Sequence, residues 1–262
     1  YDLKVEGHED KRYAKFMNSF LGRMSKEQRQ AWDAAYGPKN QAFLDADLKG
    51  KELVRWKYQR YVKDYLRCVA AVDDGIGRIL ESLDKLGLSE NSIVIYSSDQ
   101  GFYLGEHGWY DKRWIYEESL KMPLVMRWPG KIKAGTIIKK LTQNIDFAPF
   151  FLEAAEAEVP DEIQGMSLMP LFKKPNAKWR NAIYYHYYEA GGHGVPAHYG
   201  IRDERYKLMH FPRTDEWNLV DLKEDPQEMK SFHDDPDYKE TLNQMRSKLN
   251  DMQKKYGLET SL

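Results

Sequence analysis

Apolar residues between Tyr58 and Leu83 recur at three- and four-residue steps: Tyr58, Val62, Tyr65, Val69, Val72, Ile76, Ile79 and Leu83. This is the period of an α-helix, so it predicts one long helix with those side chains along a buried face. Leu86-Gly87-Leu88 ends it, with the glycine suited to a left-handed cap. Ser92-Ile93-Val94-Ile95-Tyr96-Ser97-Ser98 follows at once, a short β-branched run behind turn residues that predicts a buried strand. Leu124 to Trp128, ahead of Pro129-Gly130, predicts another strand. Asp146 is placed to cap a helix reaching Ala155, with Pro149 in its tolerated first turn. This alternation predicts an α/β layer built on a mostly parallel sheet.

Upstream, Ser25 and Gln28 have capping-box spacing and predict a short helix ending near Gly37. Residues 38–52 read as a polar loop. Downstream of residue 160 the character changes. Ile183 to Glu189, Tyr199 to Arg202, Tyr206 to Phe211 and Trp217 to Asp221 are short, aromatic-rich runs set off by turn or charged residues. They predict a small antiparallel sheet. Tyr238, Leu242, Met245, Leu249, Met252 and Tyr256 repeat in four-three steps and predict a final helix packed on it. The expected division is therefore a domain over 1–158 and an α+β subdomain over 159–262.

The chain has 40 basic and 41 acidic residues. That balance offers nothing to a nucleic acid or an anionic membrane. No apolar run approaches the ~20 residues of a membrane helix. The single cysteine, Cys68, excludes an intrachain disulfide, and its place on the apolar repeat reads as a core thiol. None of these residues sets an oligomeric state.

The chemistry concentrates between Ser98 and Arg113. Asp99 and Gln100 fall just past a predicted core strand, where ligands bind in open α/β sheets. A carboxylate beside an amide supplies hard oxygen ligands for Ca²⁺ or Mg²⁺, although Asp99 could equally cap the next turn. Gly101, Gly105 and Gly108 let the backbone turn sharply near a ligand. Lys112 and Arg113 offer cationic donors to an oxyanion, Lys as a point charge and Arg as a planar fork. Such a cation stabilises negative charge as it develops.

This segment resembles the type I sulfatases of the alkaline-phosphatase superfamily. There, a strand ends in Ser-Asp followed by Asn, Gln or His, then a glycine-rich stretch and a lysine. Glu117-Glu118-Ser119, Met122-Pro123-Leu124-Val125, Trp128-Pro129-Gly130, the helix from Asp146 to Glu153, and Asp221-Leu222 with Asp225-Pro226-Gln227-Glu228 extend the likeness in order. The resemblance implies an alkaline-phosphatase-like mixed sheet flanked by helices. It implies Ca²⁺ at Asp99 and Gln100, sulfate contact by Lys112, and a formylglycine nucleophile. It also implies export to the periplasm or medium.

The formylglycine motif, Cys/Ser-x-Pro/Ala-x-Arg, does not occur. Cys68 has Ala70 and Val72 where Pro and Arg should stand, and Ser19 and Ser25 are followed by Leu21 and Glu27 at the Pro/Ala position. Asp73-Asp74 lies mid-helix and reads as a solvated pair, not the N-terminal Asp pair of the family's calcium site. On this reading the N-terminal half, with the nucleophile, is missing, and the chain alone is inactive.

Asp111-Lys112-Arg113 is similar to the branch acting on 6-sulfated N-acetylglucosamine in heparan-type glycans, which implies sugar contacts by Asp111 and Arg113. His198 is either a further sugar contact or a surface histidine at a strand start. His107 either touches the sulfate or its leaving oxygen, or braces the loop. His193 sits in a glycine-rich loop near the cleft, and Trp109 and Tyr110 either stack on a sugar or pack on protein. Two other readings stand beside the sulfatase. One is a phosphodiesterase or phosphatase of the same superfamily, against which Gln100 argues as a poor zinc ligand. The other is a non-catalytic glycan-binding fragment.

Overall fold

The structure, a computed structural model, describes residues 11–189, 191 and 193–258. The described residues form two compact units, which divide between Ser82 and Leu83.

The first unit is helical: α1 (Lys11–Leu21), α2 (Lys26–Ala46) and most of α3 (Gly50–Lys85). The capping box at α2 is present, with Ser25 Oγ accepting from Gln28 N at 3.2 Å and Ser25 N donating to Gln28 Oε1 at 2.9 Å. The helix does not stop at Gly37. It passes through Pro38 and ends at Ala46, with Asp47 as a left-handed cap. Tertiary contacts outweigh the two poor helix formers: Phe43 stacks on Trp56 at 4.0 Å, and Asn40 accepts from Arg60 at 3.1 Å. The predicted polar loop at 38–52 is thus mostly helix.

The helix α3 forms over the predicted span, but its apolar stripe is not buried. No described residue of α3 is buried, and Val54, Tyr58, Leu66, Val69, Val72 and Ile79 are all exposed. Its contacts with α2 run through Trp56, Arg60 and Asp64, which lie on a different face. Cys68 is exposed too, so it is not a core thiol. Asp73 and Asp74 are solvated.

The second unit takes in the end of α3, after which Gly87 adopts its left-handed conformation at φ 67°. It holds β1 (Val94–Ser97), α4 (Glu117–Leu120), β2 (Leu124–Arg127), α5 (Phe147–Ala154), α6 (Met169–Lys173), β3 (Ala182–Tyr187), β4 (His198–Asp203), β5 (Tyr206–Phe211), β6 (Glu216–Asp221) and α7 (Lys239–Lys255). The strands β1 and β2 pair antiparallel, Val94 opposite Arg127. The predicted parallel order fails at this pair: the long connection folds as the Ser98–Arg113 loop and the short α4 and returns the chain antiparallel, with no crossover helix. One face of the pair packs Ile95, Leu124 and Met126 on Phe150, Leu168 and Leu171.

Asp146 anchors α5, though not as a side-chain cap. Its fully buried carboxylate pairs with Arg180 Nη1 and Nη2 at 2.5 and 2.6 Å and accepts from Gln143 N and Met166 N, both at 2.8 Å. Asp146→Ala would strand the guanidinium, and breaking a buried pair this way costs ~3–5 kcal/mol. A urea midpoint within error of the parent protein would refute that.

The antiparallel sheet has the order β3-β4-β5-β6. Alternation along the strands gives it two buried faces. Ile201, Leu208 and Leu219 meet Leu242, Met245 and Leu249 of α7. Met209 and Val220, on the opposite face, meet Ile115, Tyr116 and Leu120. The segment that carries the predicted chemistry is thereby laid on a sheet face.

Candidate active site

The loop from Ser98 to Arg113 is held at both ends by one buried residue. Ser119 O accepts from Gly101 N at 2.8 Å, and Ser119 Oγ donates to Lys112 O at 2.6 Å. The turn at Asp99-Gln100 and the lysine 13 positions later are thus clasped to the same turn of α4. Gly101 is required by space: a Cβ there would sit 1.9 Å from Glu118 O. Inside the clasp, Tyr103 N donates to Asp111 O and Gly105 N to Trp109 O, both at 2.8 Å. Asp99 is exposed and Gln100 half-buried beside it.

Asp111 and Arg113 pair directly. Arg113 is fixed through its backbone, since Tyr185 of β3 donates to Arg113 O at 2.5 Å. Burial pushes the Tyr185 hydroxyl up to about 12, so it remains a donor at neutral pH.

His107 adopts a left-handed backbone, φ 54°, and its ring stacks on Tyr116 at 4.4 Å. Its Nε2 lies 3.5 Å from Glu118 Oε2. Both contacts brace the loop. His198 is not a surface residue: it is fully buried, because β4 turns it onto the same face as Gly200. It stacks on Trp114 at 5.2 Å, with Tyr185, Tyr187 and Phe211 around it. Burial lowers its pKa, and Nδ1 lies 2.9 Å from Pro196 O. A carbonyl can only accept, so Nδ1 carries the proton and Nε2, which has no partner among the described residues, is a bare acceptor. Trp109 packs on Trp114 at 4.4 Å. His193 is exposed, 3.7 Å from Glu189.

As a cation site, Asp99 and Gln100 offer two oxygen donors of the hard class. Among the described residues no cluster of three His, Cys, Asp or Glu could hold a metal ion. The donor chemistry suits Ca²⁺, and the number falls short of the six to eight oxygens it takes.

The sequence reading missed Ser119 as the clasp, and with it the charge network behind α4. Glu117 accepts from Lys207 Nζ at 3.1 Å and from Arg202 at 3.1 and 3.2 Å, while Lys207 also reaches Glu228 at 2.5 Å. Burial would raise Glu117, but Lys207 and Arg202 outweigh it and hold the carboxyl low. At Glu228 burial wins and pushes it up. The signal available was the acidic signature ending at Glu228.

A sulfatase family model matches residues 6–157, and one for the C-terminal part of N-sulphoglucosamine sulphohydrolase matches residues 105–255. An N-acetylglucosamine-6-O-sulfatase of Bacteroides thetaiotaomicron is 46% identical over 98% of this chain and 47% of its own length. An arylsulfatase of Clostridium perfringens is 29% identical over 70% of this chain and 38% of its own length. A solved structure of a protein in complex with its substrate D-glucosamine-2-N,6-O-disulfate is 44% identical and superposes with a TM-score of 0.90, over 98% of this chain and 53% of that one. The chain thus spans about half the length of the curated relatives it matches. Each family model covers more than half of the 262 residues, and the two overlap over residues 105–157, which include the second half of the clasped loop and the strand that follows it. By that measure the chain belongs to the sulfatase family.

Proposed function

We propose that this chain serves in hydrolysis of a sulfate ester on a sulfated sugar, 6-O-sulfated N-acetylglucosamine of heparan-type glycans. The observation that carries this reading is the Ser119 clasp, which fixes the backbone of Lys112 beside the Asp99-Gln100 turn and next to the Asp111–Arg113 pair. The 46%-identical relative, an N-acetylglucosamine-6-O-sulfatase, and the disulfated glucosamine bound in the matched structure support the sugar.

Lys112 would contact the sulfate and steady its charge as the ester bond breaks. Asp111 and Arg113 would take sugar hydroxyls as acceptor and donor, their mutual pairing keeping the side chains extended until the sugar arrives. His198 would accept a hydroxyl proton at Nε2 once the rings around it admit the sugar. The contacts of His107 favour bracing over direct sulfate contact. Asp99 and Gln100 would hold Ca²⁺, which offsets sulfate charge when bound. The formylglycine nucleophile is assigned to no residue of this chain. Residues 1–158 would belong to the catalytic domain and 159–262 to the subdomain that backs it, in a protein acting in the periplasm or outside the cell. Among the described residues no helix is long and apolar enough to cross a membrane.

The test is sulfate release from N-acetylglucosamine-6-sulfate by a sulfatase that contains these residues. Turnover of a phosphodiester with none of the sulfated sugar would overturn the reading. Arg113→Ala should raise KM for the sugar roughly 10- to 100-fold, the worth of a hydrogen bond to a charged group, with a smaller change in kcat. An unchanged KM would remove Arg113 from the sugar site.

A further inference from the structure

The four charges behind α4 sit where charge is expensive. Lys207 is fully buried, the Glu228 side chain is 1% exposed, and Glu117 and Arg202 are mostly covered. Two cations and two anions cancel, but each gives up water, and a buried ion pair is weak support for stability. What it supplies is direction. Glu228 Oε2 accepts from the backbone N of Glu117 at 2.6 Å, the first residue of α4, while its Oε1 holds Lys207. Lys207 and Arg202 are opposite partners on β5 and β4, and both grip the Glu117 carboxylate. Glu117 lies two residues before Ser119, which clasps Gly101 and Lys112. Glu228 itself takes a left-handed backbone, φ 54°, a conformation a non-glycine residue adopts only when its surroundings demand it.

We infer that Glu228, acting through Lys207 and Glu117, is a positioning residue for Lys112: a buried strut from the C-terminal sheet that sets the angle of α4 and so the height of the lysine above the Asp99-Gln100 turn. The inference rests on the proposed sulfate site for its purpose, though not for its geometry. Arg113 is held separately, by Tyr185 on β3. Cutting the strut should therefore disturb Lys112 and spare the sugar pair.

Two variants test this. Glu228→Gln keeps the shape and removes the charge. The double variant Lys207→Met with Glu228→Leu removes the buried pair and leaves Glu117 to Arg202, so no lone charge is buried if the single variant folds poorly. In the 262-residue chain, amide exchange at Gly101 should quicken about tenfold or more, as a local opening does, while Ile201 and Leu208 keep their protection. Equal loss at all three sites, or none at Gly101, would overturn the strut. In a sulfatase containing the chain, kcat should fall roughly 10- to 100-fold, as displaced catalytic groups do, with KM for the sugar within about twofold. A rise in KM with kcat unchanged would also overturn it. Absence of desulfation in the parent enzyme would sink the proposed function instead, and the exchange measurement would still decide the strut.

Discussion

Lys112→Ala, made in a desulfating enzyme that carries this chain, should lower kcat by at least ~100-fold. The loss corresponds to ~2.7 kcal/mol or more of transition-state stabilisation, the scale seen when one preorganised donor is removed from an oxyanion. The lysine backbone is pinned through its carbonyl to Ser119 at 2.6 Å, and the residue is half-buried, so the side chain starts from a fixed point in the loop. Preorganised charge of this kind acts without reorganising at the moment of bond breaking. The effect should fall on kcat, and a change confined to KM would assign Lys112 to ground-state binding. Turnover near the parent value would remove it from the chemistry.

Gly101→Ala should be the most damaging single-methyl change in the loop. The added Cβ would lie 1.9 Å from Glu118 O, 2.8 Å from Glu118 C and 3.0 Å from Ser119 O. All three are backbone atoms, so no side chain can swing aside. The loop must retreat from α4, and the Gly101–Ser119 hydrogen bond goes with it. Overpacking of this severity plus one buried hydrogen bond amounts to roughly 3 kcal/mol or more. At a few degrees per kcal/mol for a unit of this size, the melting temperature should fall by roughly 6–12 °C. A melting curve superimposable on the parent's would show that the loop departs from α4 at no cost, and the clasp would lose its meaning.

The second unit was largely legible because its signals are local. The short aromatic-rich runs between turn and charged residues gave β3 to β6 nearly to the residue, and the four-three repeat gave α7, which buries the face its period marks. The β1 and β2 runs were found, but their mutual direction was not, because strand direction depends on the connection and not on the strand's own residues. In the first unit, composition misled. Gly37 and Pro38 spell a helix end, yet the Phe43–Trp56 stack carries α2 past them.

At the site, the residues that touch ligand chemistry could be read, and those that hold them could not. Lys112, Asp111 and Arg113 are contiguous, so a motif exposes them. Ser119, Lys207 and Glu228 converge from separate parts of the chain, and nothing in the sequence around Lys207 distinguishes it from a solvated strand lysine. His198 was equivocal for the same reason: the ring wall that buries it comes from Trp114, Tyr185 and Phe211, on three different segments.

The uncovered seam along α3 has a practical consequence for anyone handling the polypeptide. Val54, Tyr58, Leu66, Val69, Val72 and Ile79 run along a rod about 54 Å long, at 1.5 Å per residue over 36 residues. Monomeric proteins seldom leave so continuous a greasy strip in water. In dilute buffer the 262-residue polypeptide should brighten hydrophobic dyes and adsorb to detergent along that seam.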